Sequence, residues 1–395
     1  MFDAPQPPRK VHQELGPRLD LFHQESCAPG AVYWHAPGLA MRLALVEYLQ
    51  RSWRVLGFGE VLSPILAAYP GSMPDPTLFC EHYLVPGAQR TLALARQPCA
   101  AHRQLLEQRI RSRQSFPHRY AELASCHRQS RTAALCGLLR SSEYSVDTLH
   151  VFCLPTQIAA EVEALHEHTV RLLRRLDLPG FRAQRVRGAS GNRAQSEEYA
   201  GQAQFCRVIA SIPVDEERVS ASGAEGAERI DYLAQDRSGS SWRMGTIRCG
   251  CPAATRQGDG SSHRGSEANG VATLHGSMIG SIERCIALVV ERYGANPPAW
   301  LAPVQVLVVG ADGSTISQLR DVLSKLEAVG IRTCVECALR PTPEKPAAPF
   351  TIGVEPGGAD GTHCVTIRRR DTGAVERLPL EYALSRLSRA CSPPG

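Results

Sequence analysis

Two stretches decide the reading of this chain: Phe116-Pro-His-Arg-Tyr-Ala-Glu-Leu-Ala-Ser-Cys-His-Arg128, and Tyr144-Ser-Val-Asp-Thr-Leu-His-Val-Phe-Cys153. From Arg119 to His127 the residues half-alternate and favour extended backbone, as do those from Tyr144 to Cys153, while Gln129 to Thr132 is polar. That pattern predicts strand, loop, strand. Before it, Met41 to Trp53 carries apolar residues at helical spacing, and Gly57 to Pro64 reads as a short strand closed by proline. Leu105, Leu106 and Ile110 mark a helix after Cys99. After it, Ile158, Val162, Leu165, Thr169 and Leu172 lie on one face of a long amphipathic helix that stops at Pro179-Gly180.

Arg187 to Gln204 and Ala253 to Gly270 are rich in Gly, Ser and polar residues and read as loops, with strand-like pieces at Arg229 to Tyr232 and Trp242 to Arg248 between them. A helix is expected from about Leu274 to Arg292. Asn296-Pro297-Pro298 marks a boundary. Beyond it, Val304 to Val309 as a strand, Ser317 to Val329 as a helix ending at Gly330, and Ile331 to Cys337 as a strand make a βαβ unit.

The 395 residues exceed what one compact domain needs, and 43% hydrophobic with 21% charged residues fits a globular protein of two domains. A net charge of +5, arginine-heavy and scattered, permits a polyanionic partner without requiring one. No apolar run approaches the ~20 residues of a membrane span, and Met1-Phe-Asp-Ala-Pro5 carries neither a basic leader nor an apolar stretch. A cytoplasmic protein that does not enter the membrane is the expectation. The 14 cysteines have no regular spacing, which suits reduced, mostly buried thiols with one or two serving as ligands.

Cys99 and His150 stand 51 residues apart and His275 a further 125, a spacing that no local metal motif predicts. Their surroundings carry more information: Arg96-Gln-Pro-Cys99-Ala-Ala-His102, Asp147-Thr-Leu-His150, and His275-Gly-Ser-Met-Ile-Gly-Ser-Ile-Glu-Arg284. Leu19-Asp-Leu-Phe-His23, Ala28-Pro-Gly-Ala-Val-Tyr-Trp-His35 and Trp300-Leu-Ala-Pro-Val-Gln-Val306 extend the series. With the strand-loop-strand segment, these motifs resemble threonyl-tRNA synthetase, a class II aminoacyl-tRNA synthetase, over about residues 10 to 340.

The resemblance implies an α+β class II core, an antiparallel sheet flanked by helices. That core would span residues 27–297 after an N-terminal extension of residues 1–26. Residues 298–395 would form a small α/β domain resembling the anticodon-binding domain. It further implies Zn²⁺ held by Cys99, His150 and His275 with one position open to the amino group and β-hydroxyl of an amino acid. ATP with Mg²⁺ would be held by Arg128, Arg140 and Arg284, with Tyr144 stacked on the base. Attack of a carboxylate on the α-phosphorus is then mainly a matter of placement and charge neutralisation. The strand at Pro64 implies a homodimer.

The chain also departs from the family. Ser130 stands where a glutamate contacts adenine; Thr148, Gly226 and Arg248 stand where threonine is read by aspartate, tyrosine and glutamine. Arg243 replaces another glutamine, although Thr246 is retained. A wider, more positive pocket follows, suited to a small β-substituted or acidic amino acid rather than threonine. Arg340-Pro-Thr-Pro-Glu-Lys-Pro-Ala-Ala-Pro349 replaces a helix that grips the anticodon, which leaves tRNA, a carrier protein and a small amine all open as acceptors. An adenylate-forming ligase is the first reading, and a non-catalytic paralogue that binds or regulates is the alternative.

Overall fold

The computed structural model describes residues 10–68, 83–94, 97–109, 116–129, 134–188, 200–219, 228–250, 271–310, 315–335, 348–355 and 364–393. They group into two compact units. One comprises Met1–Lys10, Gln24–Val32 and Leu49–Leu288; the other comprises Val11–His23, Tyr33–Tyr48 and Val289–Gly395.

The first unit is built on an eight-stranded sheet. In chain order its strands are β1 (Gly59–Glu60), β2 (His118–His127), β3 (Glu143–Cys153), β4 (Arg182–Arg187), β5 (Glu216–Val219), β6 (Arg229–Gln235), β7 (Ser241–Cys249) and β8 (Ala272–Ser277). Their order across the sheet is β5-β4-β6-β7-β8-β3-β2-β1, antiparallel except for the outermost pair at each edge. β3 lies inside the sheet and is buried on both faces from Asp147 to Cys153, which explains why that run is apolar without clean alternation. A smaller sheet joins Leu66–Ala68, Leu92–Leu94 and Leu84–Val85.

Helices α1 (Cys99–Arg109), α2 (Ile158–Arg175) and α3 (Ala200–Ser211) belong to this unit, as does the start of α4 (Ile282–Tyr293), up to Leu288. α2 buries the whole predicted face, Ile158, Val162, Leu165, Thr169 and Leu172. It ends ahead of Pro179, where Asp177 turns the chain with a positive φ of 46°.

Two expectations are corrected. The segment from Leu274 is not helical at its start: His275 lies on β8, and α4 begins only at Ile282. A turn intervenes because the buried carboxylate of Asp147 accepts hydrogen bonds from Ser277 Oγ (2.7 Å) and the backbone N–H groups of Met278 (2.5 Å) and Ile279 (3.3 Å). Gly280 completes that turn at φ 66°, where an added Cβ would lie 2.0 Å from the Met244 carbonyl oxygen. The polar stretch to Gln204 is also not all loop, since α3 begins at Ala200. Phe205, Val208, Ile209 and Ile212 are buried at helical spacing and hold it down. The loop expected at Ala253–Gly270 lies outside the described residues.

The second unit contains a five-stranded sheet of β9 (Val306–Gly310), β10 (Thr333–Val335), β11 (Phe350–Val354), β12 (Cys364–Arg369) and β13 (Val375–Pro379), ordered β10-β9-β11-β12-β13. β9, helix α5 (Ile316–Ala328) and β10 form the expected parallel βαβ unit. Thr315 caps α5, its hydroxyl accepting from the Gln318 N–H. β11 to β13 and helix α6 (Leu380–Cys391) complete an extra C-terminal sheet domain, with Val306, Val308, Leu326, Ile352, Val365 and Leu387 in its core. Most of the proline-rich segment at 340–349 lies outside the described residues. No helix among the described residues is long and apolar enough to cross a membrane.

Candidate functional site

Cross-strand partners in a sheet share a face, so register alone assembles much of this site. One file of partners runs Arg229, Arg248, His275, His150 and Tyr120 across β6, β7, β8, β3 and β2. Two residues along, and therefore on the same face, come Asp231, Thr246 and Ser277, then Thr148 paired with Glu122. Cys99 reaches the two histidines as the first residue of α1.

Cys99 Sγ lies 3.6 Å from His275 Nδ1, which lies 3.1 Å from His150 Nε2, and the three candidate ligand atoms fall within 4.8 Å of one another. Zinc bonds of roughly 2.0–2.3 Å in tetrahedral array separate ligand atoms by similar distances. One soft thiolate with two imidazoles is a donor set that suits zinc. All three residues are buried. Burial, followed by the charge of Arg248 and the neighbouring His150, His102 and Arg243, holds the His275 imidazole well below its ordinary pKa. It is neutral near pH 7, the form a metal ion needs.

Behind this cluster is a second layer that sequence reasoning did not single out. His150 Nδ1 lies 2.9 Å from His102 Nδ1, and His102 Nε2 lies 2.8 Å from Glu122 Oε2. Glu122 also accepts from the backbone N–H of Ser63 at 2.9 Å and from its hydroxyl at 2.9–3.0 Å. Burial raises the cost of charge on Glu122, but the bonds from His102 and Ser63 outweigh it and keep the carboxyl below its usual range. The sequence held one clue: His102 follows Cys99 by three residues on a helix, which places both on one face.

Farther along the sheet the site becomes strongly cationic. Arg128, at the end of β2, donates to the Tyr144 hydroxyl at 2.9 Å and lies over that ring at 5.0 Å. Arg284, in the first turn of α4, donates to the carbonyls of Leu139 (3.0 Å) and Arg243 (2.7 Å) and packs over Trp242. Burial lowers the Arg284 guanidinium to about 10, assisted by the like charges of Arg243, Arg128 and Arg140. Arg140 keeps a buried Nε without a hydrogen-bond partner. Among the described residues no carboxylate pairs with Arg128, Arg140 or Arg284. Buried Glu283 helps set this geometry, accepting from Ser145 N and Ser281 Oγ at 2.9 Å each.

The remaining predicted pocket residues fall beside the cysteine-histidine cluster. Thr148 is buried, and Thr246 donates to Asp231 at 2.8 Å. Asp231, not foreseen, also pairs with Arg229 (2.9 Å) and Arg243 (3.6 Å). Arg248 has no carboxylate partner among the described residues; it contacts Gln97 at 3.4 Å, and its Nε is buried and unpaired. Gln97 in turn accepts from Cys99 at 3.6 Å, so the guanidinium stands next to the cluster. Gly226 and Ser130 lie outside the described residues.

A largely antiparallel sheet with flanking helices, carrying an arginine-rich strand-loop-strand and a further arginine at the start of the following helix, is the architecture of a class II aminoacyl-tRNA synthetase core. The chain belongs to that family: residues 83–293 match the tRNA synthetase class II core domain (G, H, P, S and T). Within the family it is similar to threonine-tRNA ligases. It is 29% identical over 336 residues to that of Stenotrophomonas maltophilia, covering 82% of this chain and 52% of the relative. It is 28% identical over 339 residues to that of Xanthomonas campestris pv. campestris, covering 83% and 52%. The chain therefore spans about half the length of these relatives. Among solved structures, its fold is similar to the RNA binding domain of threonyl-tRNA synthetase from Cryptosporidium parvum Iowa II. The TM-score there is 0.82 at 21% identity, over 98% of this chain and 99% of the other.

Proposed function

We propose that this protein activates an amino acid with ATP to form an aminoacyl adenylate, and passes the acyl group to an acceptor. The observation that carries the reading is the group formed by Arg128, Arg140 and Arg284, which lie close enough to lower the Arg284 pKa and pair with no carboxylate among the described residues, in the same unit as the cysteine-histidine cluster. Like charges brought together without counter-charge disfavour the free protein and favour a polyanionic ligand. In this reading Arg128 holds the α-phosphate and the attacking carboxylate, Arg140 and Arg284 hold the outer phosphates of Mg²⁺-bound ATP, and Tyr144 stacks on adenine.

Cys99, His150 and His275 would hold Zn²⁺, which supplies a Lewis-acidic position for the amino group and a β-substituent of the substrate. Thr148, Gly226, Arg243, Thr246 and Arg248 would line the amino-acid pocket. The open metal position would suit an amino acid with a β-hydroxyl, β-amino or thiol group, and Arg248, next to the cluster with no carboxylate partner among the described residues, supports an acidic or otherwise β-substituted relative over threonine itself.

The catalytic domain would span residues 27–297, and residues 298–395 would form a degenerate anticodon-binding-like domain. tRNA, a carrier-protein thiol and a small amine are the candidate acceptors, in a cytoplasmic homodimer. The decisive experiment is ATP-pyrophosphate exchange across an amino-acid panel, with Arg128→Ala and Arg284→Gln as controls. Exchange that depends on one amino acid and on both arginines supports the proposal. Ser130, in place of the family's adenine-contacting glutamate, favours the second reading, a non-catalytic binding paralogue. ATP binding without exchange for any amino acid would select it.

A further inference from the structure

We propose that Glu122 and His102 are positioning residues that fix the proton of His150 on Nδ1 and so leave its Nε2 bare for the metal. The inference rests on reading Cys99, His150 and His275 as a metal site. It follows from the order of donors and acceptors along one buried chain of atoms.

The chain begins at a group that can only donate. The Ser63 backbone N–H points at Glu122 Oε1 from 2.9 Å, so that oxygen must accept. Glu122 Oε2 faces His102 Nε2 at 2.8 Å, and a carboxylate can only accept there, so His102 carries its proton on Nε2. A neutral imidazole has a single N–H. With His102 neutral, its Nδ1 is then a lone pair facing His150 Nδ1 at 2.9 Å, and His150 donates from Nδ1. The remaining nitrogen, His150 Nε2, is left as a lone pair 3.1 Å from His275 Nδ1, inside the ligand cluster. His102, Glu122 and His150 are 0%, 3% and 1% exposed, so solvent does not offer the rings another partner. Partners of this kind orient histidine ligands and raise their basicity.

The same logic singles out one nearly isosteric change that should undo the arrangement. In Glu122→Gln the amide oxygen is still required by the Ser63 N–H, because turning the amide over would set two donors face to face. Its NH₂ group therefore meets His102 Nε2 as a donor, and every link reverses. His102 then donates from Nδ1, His150 accepts at Nδ1, and the His150 proton moves to Nε2, where it blocks the metal. Ser63→Ala, by contrast, removes only the hydroxyl and keeps the backbone N–H that sets the direction.

Two measurements test this. In metal-free protein labelled with ¹⁵N-histidine, long-range ¹H–¹⁵N correlations should report His150 as the Nδ1–H tautomer and His102 as the Nε2–H tautomer, both reversed in Glu122→Gln. Competition for Zn²⁺ against a chelator should show Glu122→Gln weaker by ~10- to 100-fold and Ser63→Ala little changed. Wild-type His150 found as the Nε2–H tautomer overturns the proposal, as does a folded Glu122→Gln protein with wild-type zinc affinity. Wild-type protein that binds no zinc defeats the metal reading itself. The tautomer measurement on wild type decides the wire in that case, and also if Glu122→Gln fails to fold.

Discussion

Replacing Arg284 by glutamine should leave stability almost unchanged while removing the response to ATP. The guanidinium is held at about 10 by burial and by Arg243, Arg128 and Arg140. At ~1.4 kcal/mol per tenfold change, that amounts to ~3 kcal/mol against the charged form in the fold. Arg284 is half-buried by surface area, and screening reduces the figure to ~1–2 kcal/mol. Opposing it are two hydrogen bonds to the Leu139 and Arg243 carbonyls and the packing on Trp242, together worth ~1–2 kcal/mol. The contributions offset, and Arg284→Gln should lie within ~1 kcal/mol of wild type, a few °C in Tm at most. Because the folded-state pKa lies below the unfolded one, the penalty is present in full at every pH below about 10 and shrinks as the pH rises from there, vanishing only above the unfolded-state pKa. Thermal unfolding with and without Mg²⁺-ATP is the assay. ATP at 100 times its Kd should stabilise wild type by ~2.7 kcal/mol. The variant should lose that gain and ~10²-fold or more of its exchange rate. A variant that unfolds several kcal/mol earlier yet keeps its ATP stabilisation would make Arg284 a structural strut and refute the reasoning.

The purified protein should carry about one zinc per chain, and elemental analysis of Cys99→Ala combined with His150→Ala should find none; full occupancy in the double variant places the metal elsewhere. Arg248→Gln should raise the kcat/KM for threonine relative to aspartate in the exchange assay, and an unchanged ratio would remove Arg248 from the amino-acid pocket. Asp236 should be a source of acid sensitivity. Burial opposes its charge, yet donors from Ser238 (2.6 Å), Trp242 (2.9 Å) and Lys10 (2.9 Å) keep its carboxyl below the ordinary range. Asp236→Asn should cost ~2 kcal/mol near pH 7. That stabilisation is present above the unfolded carboxylate pKa and lost as the pH falls through the folded one, so the two proteins should converge in acid; a difference constant down to low pH contradicts the assignment.

Where one element dominates its own residues, the sequence is a good guide. α2 shows its face at 3.6-residue spacing and β2 its half-alternation, because each packs one side against a single layer. His275 is harder to place, since Val271 to Leu288 mixes apolar residues with Thr273, His275, Ser277 and two glycines in a pattern that fits strand or helix until the Asp147-bound turn divides it. α3 is masked by polar neighbours, although Phe205, Val208, Ile209 and Ile212 carry helical spacing. The metal candidates lie on three separate elements, so nothing in their spacing brings them together; family resemblance points to them, and strand register is what makes them neighbours. His102 and Glu122 carry no sequence signal of their own roles beyond the three-residue offset from Cys99, since a helical histidine and a strand glutamate usually face water.

The file Arg248, His275, His150 also acts as a gauge of how the sheet is assembled. A strand turns alternate side chains to opposite faces, so a slip of one residue in β8 would present Leu274 or Gly276 to the cluster and send the imidazole into the opposite layer. Such a misthreaded sheet could keep nearly all its backbone hydrogen bonds and still offer the ion only two of its three ligands. Tight zinc retention would therefore certify that β8 and β3 have met in the correct alignment, a property that circular dichroism or size alone would not distinguish.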